Sequence, residues 1–407
     1  MVGSPAYNRL LSVITLCVTA LVICSCLGKK ETFRTSDGAR IIKDGKSVYF
    51  VGTNLWYAGR LSATDEGRIR LAAELDTLKG LGITNLRVLA VEGENPDNLE
   101  YALNQMKKRD MCAVLFLNNA WEWSYGYADY LEAAGAGFQP RQLTDGYPAY
   151  MQAMGAFCTN EKAVSLNHEY IRGIVGRFKD HPAIFSWQIC NEPRCFSADP
   201  AARDAFVKYI HETAALIKSI DGNHMVSTGN EGSRGCEDDM LLCERINDCK
   251  DIDYMTIHIW PYNWSWVRED SVGNGIENAV SKVEQYIDDH LAIAARLNKP
   301  LVIEEFGYPR DGFQFTREST TEGRDRIYDC VFSRVVKSAG ENGRIAGCNF
   351  WGWGGYAQPA HIYWEEGDDF CGDPSQEQQG LNSVFVSDRS TIKVIKKATE
   401  KLNKLCY

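Results

Sequence analysis

Basic charge is in short supply in this chain: 44 Lys and Arg stand against 54 Asp and Glu, a formal net charge of −10. A phosphate backbone is repelled by such a field unless a local basic stripe offsets it. No stripe occurs, so nucleic acid is excluded as a partner. Long apolar runs are scarce too, and no stretch beyond residue 23 approaches the roughly 20 residues that span a bilayer. The 14 Cys and 7 His include no C-x2-C, H-E-x-x-H or H-x-H pattern, so no metal site is expected. There is no G-x-G-x-x-G after the first strand and no internal Pro/Gly/Ser-rich linker, which argues against a dinucleotide cofactor and a second domain. No cofactor of any kind is expected. What the chain has in quantity is aromatic surface: 10 Trp, 19 Tyr and 16 Phe, flat amphipathic groups that stack on sugar rings as well as fill cores.

The N-terminal segment reads as a targeting signal rather than fold. Arg9 precedes an apolar run, Leu10 to Ile23, of a length that suits a signal-peptide core. The run ends Ile23-Cys24-Ser25-Cys26, which resembles a bacterial lipobox with Cys26 as the acylated residue. Residues 1–25 are then a lipoprotein signal, 26–34 a polar tether and 35–407 the folded domain. A secreted envelope lipoprotein is expected, monomeric and touching the membrane only through its lipid. Eleven cysteines lie beyond Cys26, an odd number, so at least one thiol stays free. Cys236, Cys243 and Cys249 share one polar loop, where a local disulfide is expected.

Phe33 to Ser47 reads as a β-hairpin with turns at Asp37-Gly38 and Asp44-Gly45, plugging one end of the body. Eight short apolar runs follow: 48–52, 83–89, 113–117, 184–189, 225–228, 254–259, 301–303 and 347–351. Amphipathic helical stretches alternate with them, weak only around Asp238 to Arg245. Strands that are apolar throughout, alternating with helices, indicate a parallel sheet buried on both faces, and eight such units predict one α/β domain, a closed (β/α)8 TIM barrel. The longest connections follow strands three, six and eight, on the C-terminal face where barrels keep their active sites.

Two strand ends there carry glutamate: Glu192 after strand four, and Glu304-Glu305 at the end of strand seven. A carboxylate pair held on rigid backbone can flank a glycosidic bond, one member protonating the leaving oxygen and the other attacking carbon. Side chains of adjacent strand residues point to opposite faces, so only one of Glu304 and Glu305 should face the mouth.

Trp187-Gln188-Ile189-Cys190-Asn191-Glu192-Pro193 and Ile303-Glu304-Glu305-Phe306-Gly307 resemble the two active-site signatures of clan A glycoside hydrolases, specifically family 5. Leu117-Asn118-Asn119, His258-Ile259-Trp260-Pro261-Tyr262-Asn263-Trp264 and Phe350-Trp351-Gly352-Trp353-Gly354-Gly355 are similar to the endo-β-1,4-mannanases of that family. The resemblance implies a retaining endo-β-1,4-mannanase acting on mannan, galactomannan or glucomannan, with Glu192 as acid/base and Glu305 as nucleophile. It implies further that Asn191 holds the sugar 2-hydroxyl, that Arg87 and His258 support the carboxylates, and that Trp351 floors the subsite before the scissile bond. Many family members place a Tyr two residues after the strand-six His, touching the nucleophile. Here that position is Trp260, so either Tyr262 reaches in or the contact is absent. Trp56, Trp121, Trp123, Trp264, Trp266 and Trp353 lie in loops of the same face, and about half are expected to touch substrate, alongside Asn118. A β-1,4-glucanase with the same carboxylates and a non-catalytic glycan-binding lipoprotein remain the alternatives.

Overall fold

The computed structural model describes residues 33–35 and 38–406. The segment expected to be a targeting signal and Cys26 lie outside the described residues, as does Asp37 of the first expected turn. Eight parallel strands form the sheet: β1 Phe50–Asn54, β2 Asn85–Leu89, β3 Cys112–Phe116, β4 Ile184–Gln188, β5 Met225–Ser227, β6 Met255–Ile259, β7 Leu301–Phe306 and β8 Ile345–Phe350. Their order is β5-β4-β3-β2-β1-β8-β7-β6. The two outer members meet through a Ser227–Tyr254 bridge and an Asp253 N–H to Val226 carbonyl bond of 2.8 Å, so the sheet comes round on itself as a TIM barrel. Apart from Cys112 every residue of these strands is buried, which is why they read as continuous apolar runs.

A helix follows each strand: α1 Asp65–Gly80, α2 Pro96–Lys107, α3 Glu161–Phe178, α4 Pro200–Ile220, α5 Met240–Asn247, α6 Ile276–Arg296, α7 Glu322–Glu341 and α8 Arg389–Cys406. Their starts are written locally. Thr64, Asn95, Asn160, Asp199 and Asp239 each accept a backbone N–H of the first turn, satisfying donors that have no partner inside the helix. The weakly patterned 238–245 segment is the start of α5, a two-turn helix too short to show a clear apolar stripe.

The expected N-terminal hairpin is a three-stranded antiparallel sheet, Arg34–Thr35, Ile41–Lys43 and Lys46–Ser47. Asp44 and Gly45 both take positive φ, +51° and +75°, as a tight two-residue hairpin turn demands. Phe33 and Ile41 pack with Phe50, Val114, Phe185, Met225, Tyr254 and Val302, closing the N-terminal end of the barrel with side chains.

The opposite face carries the long connections. The one after β3 holds short helices at Tyr127–Ala133, Gln142–Asp145 and Tyr147–Met154. The one after β8 is tied down by buried carboxylates: Asp373 accepts the backbone N–H of Gly380 (2.9 Å) and Asn382 (3.0 Å), and Asp388 takes both ends of the Arg310 guanidinium (2.9 and 2.7 Å). Cys236, Cys243 and Cys249 are free thiols, so the expected local disulfide is not formed; Cys236 instead donates to Asn230 Oδ1 at 3.6 Å. No helix of the described residues is long and apolar enough to cross a membrane.

Candidate active site

Arg87 organises the site from the middle of β2. It is fully buried, and each of its three side-chain nitrogens donates a hydrogen bond. Its Nε donates to Gln188 Oε1 (2.7 Å), Nη2 to Asn191 Oδ1 (2.8 Å), and Nη1 to Asn54 Oδ1 (3.1 Å) and to Glu305. One guanidinium thereby links the ends of β1, β2, β4 and β7.

Glu305 follows a β-bulge. Ile303 pairs with Ile257 but Glu305 with the very next residue, His258, so one residue of β7 is unmatched. Only Glu305 faces the mouth, but the bulge, and not a turn of its neighbour to the other side of the strand, is the reason. Glu304 also points into the barrel, one layer deeper, where it accepts from Tyr254 (3.0 Å) and Gln188. Glu305 sits at the mouth. Beyond Arg87 it accepts the indole N–H of Trp260 at 3.3 Å, and Gly307 leaves room for that ring, since a Cβ there would collide with it.

Glu192 leaves β4 in the left-handed region, φ +51°, a strained conformation for a residue other than glycine. Trp121 Nε1–H donates to its Oε2 at 2.5 Å, and His258 Nδ1 lies 2.7 Å from its Oε1. The same Nδ1 is 3.4 Å from Glu305, and one donor atom from each of Glu192, His258 and Glu305 falls within 4.8 Å of the others. Burial pushes both carboxyls above the usual range, and the charge of Glu192 further opposes ionisation of Glu305. Arg87 pulls Glu305 back toward the carboxylate, because its cation is in direct contact with that side chain. Burial, with Arg87 beside it, holds the His258 imidazole neutral. The imidazole can therefore give or take a hydrogen bond at Nδ1 without adding charge.

A cavity of about 530 Å³ opens above the pair, lined by Trp121, Trp123, Asn191, Trp260, Trp264 and Trp351 as well as both glutamates. Asn191 bridges Arg87 and Asn119 (3.0 Å), with its backbone N–H on the Asn118 carbonyl (2.7 Å). The buried Nε1 of Trp351 has no partner among the described residues. Four expected contacts are not made. Trp353 is fully buried with its N–H on Glu74, Trp56 spends its N–H on the Gly372 carbonyl (3.0 Å), and Asn118 is held by Tyr209 (3.0 Å), so none of the three faces the cavity. Tyr262 packs on Phe313, ring centroids 4.6 Å apart, and Trp260 itself takes the contact with Glu305.

Several lining groups went unread in the sequence. Arg194, two residues past Glu192, stacks over Trp121 (5.5 Å) and is paired with buried Glu231 at 2.5 Å. Its proximity to Glu192 in the chain was the available signal. Gln376 and Glu377 enter from the connection after β8, and burial, with Asp373 and Glu192 nearby, pushes Glu377 up to about 8. Nothing local marks them, since their position depends on how that connection folds back.

The chain is similar in sequence to mannan endo-1,4-beta-mannosidase 1 of Oryza sativa, 28% identical over 381 residues covering 84% of each protein, and to mannan endo-1,4-beta-mannosidase 4 of Solanum lycopersicum, 26% identical over 374 residues covering 84% of this chain and 90% of the tomato protein. In structure it is similar to a glycoside hydrolase family 5 mannosidase from Rhizomucor miehei, with a TM-score of 0.83 and 26% identity over 93% of this chain and 99% of the fungal one. The E202A variant of that mannosidase, in complex with mannosyl-fructose, gives a TM-score of 0.82 at 27% identity, covering 92% of this chain and 98% of the other. A family description of the type "GH family 5 beta-mannosidase-like" matches residues 31–103 and 97–406, so the chain belongs to glycoside hydrolase family 5, in its β-mannosidase-like group.

Proposed function

We propose that this protein is a retaining endo-β-1,4-mannanase in which Glu305 attacks and Glu192 protonates. The observation that supports the reading is the meeting of the two carboxyls at one imidazole nitrogen, with an oxygen of each within 4.8 Å of the other, which favours direct attack over the roughly 6.5–9.5 Å gap of an inverting pair. In the first step the Glu305 carboxylate forms a bond to the anomeric carbon as the bond to the leaving sugar oxygen breaks, and the Glu192 proton passes to that oxygen. In the second step water attacks the glycosyl ester, gives its proton to Glu192 and releases Glu305 as carboxylate. Arg87 favours the charged form of the attacking group by direct contact, Asn191 faces the sugar beside the reacting carbon, and Trp351 supplies a floor. The mannan specificity rests on the named activity of the curated relatives. Release of reducing ends from mannan but not from cellulose, with proton NMR of early products showing the β anomer, is the expected result; cleavage of cellulose alone, or an initial α anomer, would overturn it.

The finer reading is that the enzyme is secreted and held on the cell envelope through a lipid on Cys26. Cys26→Ser should release active enzyme or leave an uncleaved precursor. Membrane association unchanged by this substitution, with no fatty acid on the unaltered protein, would sink the anchor.

A further inference from the structure

A second cavity, of about 430 Å³, lies on the other side of the connection that follows β3. That connection lends aromatic residues to both spaces. Trp121 and Trp123 line the catalytic cavity, whereas Tyr125 lines the second one. The Tyr125 ring is half-buried and stands edge-on to Tyr130, centroids 5.0 Å apart and planes at 80°. Tyr130 also borders this cavity. Its polar neighbours are Asn167 and Glu92.

The opposite wall is one face of α3, where Leu166, Tyr170, Gly173 and Arg177 follow one another at helical spacing. Glycine in a helix interior is unfavourable and is expected only where it serves a purpose. Gly173 has ordinary helical φ, and a Cβ there would meet nothing within 4 Å. Tight packing therefore does not account for it, and its effect is to keep the cavity floor open. Arg177 at the rim is committed to Asp97 (2.5 Å) and Glu100 (2.8 Å), so the cavity presents carboxylates, Glu92 and Glu169, beside aromatic faces rather than a free cation. Flat aromatic surface flanked by hydroxyl acceptors suits a neutral, hydroxyl-rich ring and repels an anion.

We propose that this cavity is a second glycan-binding site, which holds a hexosyl stretch of the polysaccharide while another stretch occupies the catalytic cavity beyond the same connection. That the glycan is mannan rests on the function proposed above. Gly173→Leu fills the open floor and improves helix propensity, and Tyr125→Ala removes the stacking face; neither residue borders the catalytic cavity. The test polymer is whichever the unaltered enzyme cleaves, insoluble mannan on our reading, so an error in substrate shows in the unaltered enzyme and an error about the cavity shows only in the variants.

Retention on that polymer, measured by affinity electrophoresis in a Glu305→Ala background, should fall about tenfold in each variant, the effect of one lost stacking contact. With Glu305 intact, each variant should raise KM on the polymer and leave both kcat and the hydrolysis of a short aryl glycoside unchanged. Unchanged retention in both variants overturns the proposal, as does an equal loss on the aryl glycoside, which would mean that the substitutions act through the catalytic cavity.

Discussion

The ends of β4 and β7 present the same residue to the same space and surround it differently. Glu192 is set on strained left-handed backbone and receives neutral groups, the Trp121 indole at 2.5 Å and the uncharged His258 ring at 2.7 Å. The one cation near it in the chain, Arg194, is paired with Glu231 at 2.5 Å. Glu305 is set by a bulge and receives the fixed charge of Arg87. Neutral partners can stabilise a protonated acid as well as its anion, whereas a buried guanidinium in contact stabilises only the anion. The contact of Arg87 thus biases Glu305 toward the attacking role, whereas Glu192, which neither Arg87 nor Arg194 touches, feels both cations only at a distance.

The largest effect that tests this contrast comes from removing each carboxyl in turn. Glu305→Ala should abolish turnover of polymer and aryl glycoside alike, a loss on the order of 10⁴ or more, because no group remains to attack. Glu192→Ala should cost about 10²–10⁴ on polymer, the usual value of a general acid, yet much less on an aryl glycoside whose leaving group needs little protonation. Equal losses on both substrates for the two variants would erase the distinction. Full activity in Glu305→Ala would pass the role to Glu304 beneath it.

A smaller effect sharpens the contrast through pH. Glu305 must be charged, so activity rises as pH climbs through its pKa; Glu192 must hold its proton, so activity falls as pH climbs through its own. Each carboxylate is stabilised by one indole N–H, Trp260 for Glu305 and Trp121 for Glu192, and both contacts lower the pKa against the raising effect of burial. Trp260→Phe should therefore move the acid limb of the kcat/KM profile to higher pH, and Trp121→Phe should move the alkaline limb to higher pH. A shift of the opposite limb in either variant would break the pairing of indole with carboxyl.

The barrel was legible because its strands are buried on both faces and its helices open on side-chain caps, signals that lie within a few residues of one another. The two glutamates were legible for a related reason: a charge at the end of an apolar strand is conspicuous. The partners that give them different roles were less so. Arg87 and Glu305 stand 218 positions apart, and Trp121 and Glu192 71 apart, so their contacts exist only once the barrel closes. The resemblance to family 5 supplied what spacing could not. The bulge at Glu304 has no glycine or proline to announce it, so strict alternation predicted one glutamate at the mouth but not the inward, deeper position of the other. The tryptophans show a different limit. Trp56 and Trp353 sit in the expected loops, but a buried indole whose N–H is taken by Gly372 or Glu74 has no face left for a sugar.

The smallest effect is expected at Tyr262, the alternative to Trp260 as the aromatic partner of the nucleophile. Residues 258 and 260 share a parity along β6 and its extension, so once His258 faces the carboxyls, Trp260 does as well. At Pro261 the chain turns: the backbone N–H of Trp264 reaches the Trp260 carbonyl at 2.9 Å and that of Ser265 reaches the Tyr262 carbonyl at 2.9 Å. The turn carries Tyr262 outward onto Phe313, away from Glu305. Tyr262→Phe should accordingly keep kcat within about twofold and leave both pH limbs in place, since a substitution away from the reacting groups changes free energies by roughly 0.5 kcal/mol or less. A tenfold loss of kcat, or an acid limb displaced as in Trp260→Phe, would show instead that this connection closes during turnover and brings the Tyr262 hydroxyl onto the nucleophile.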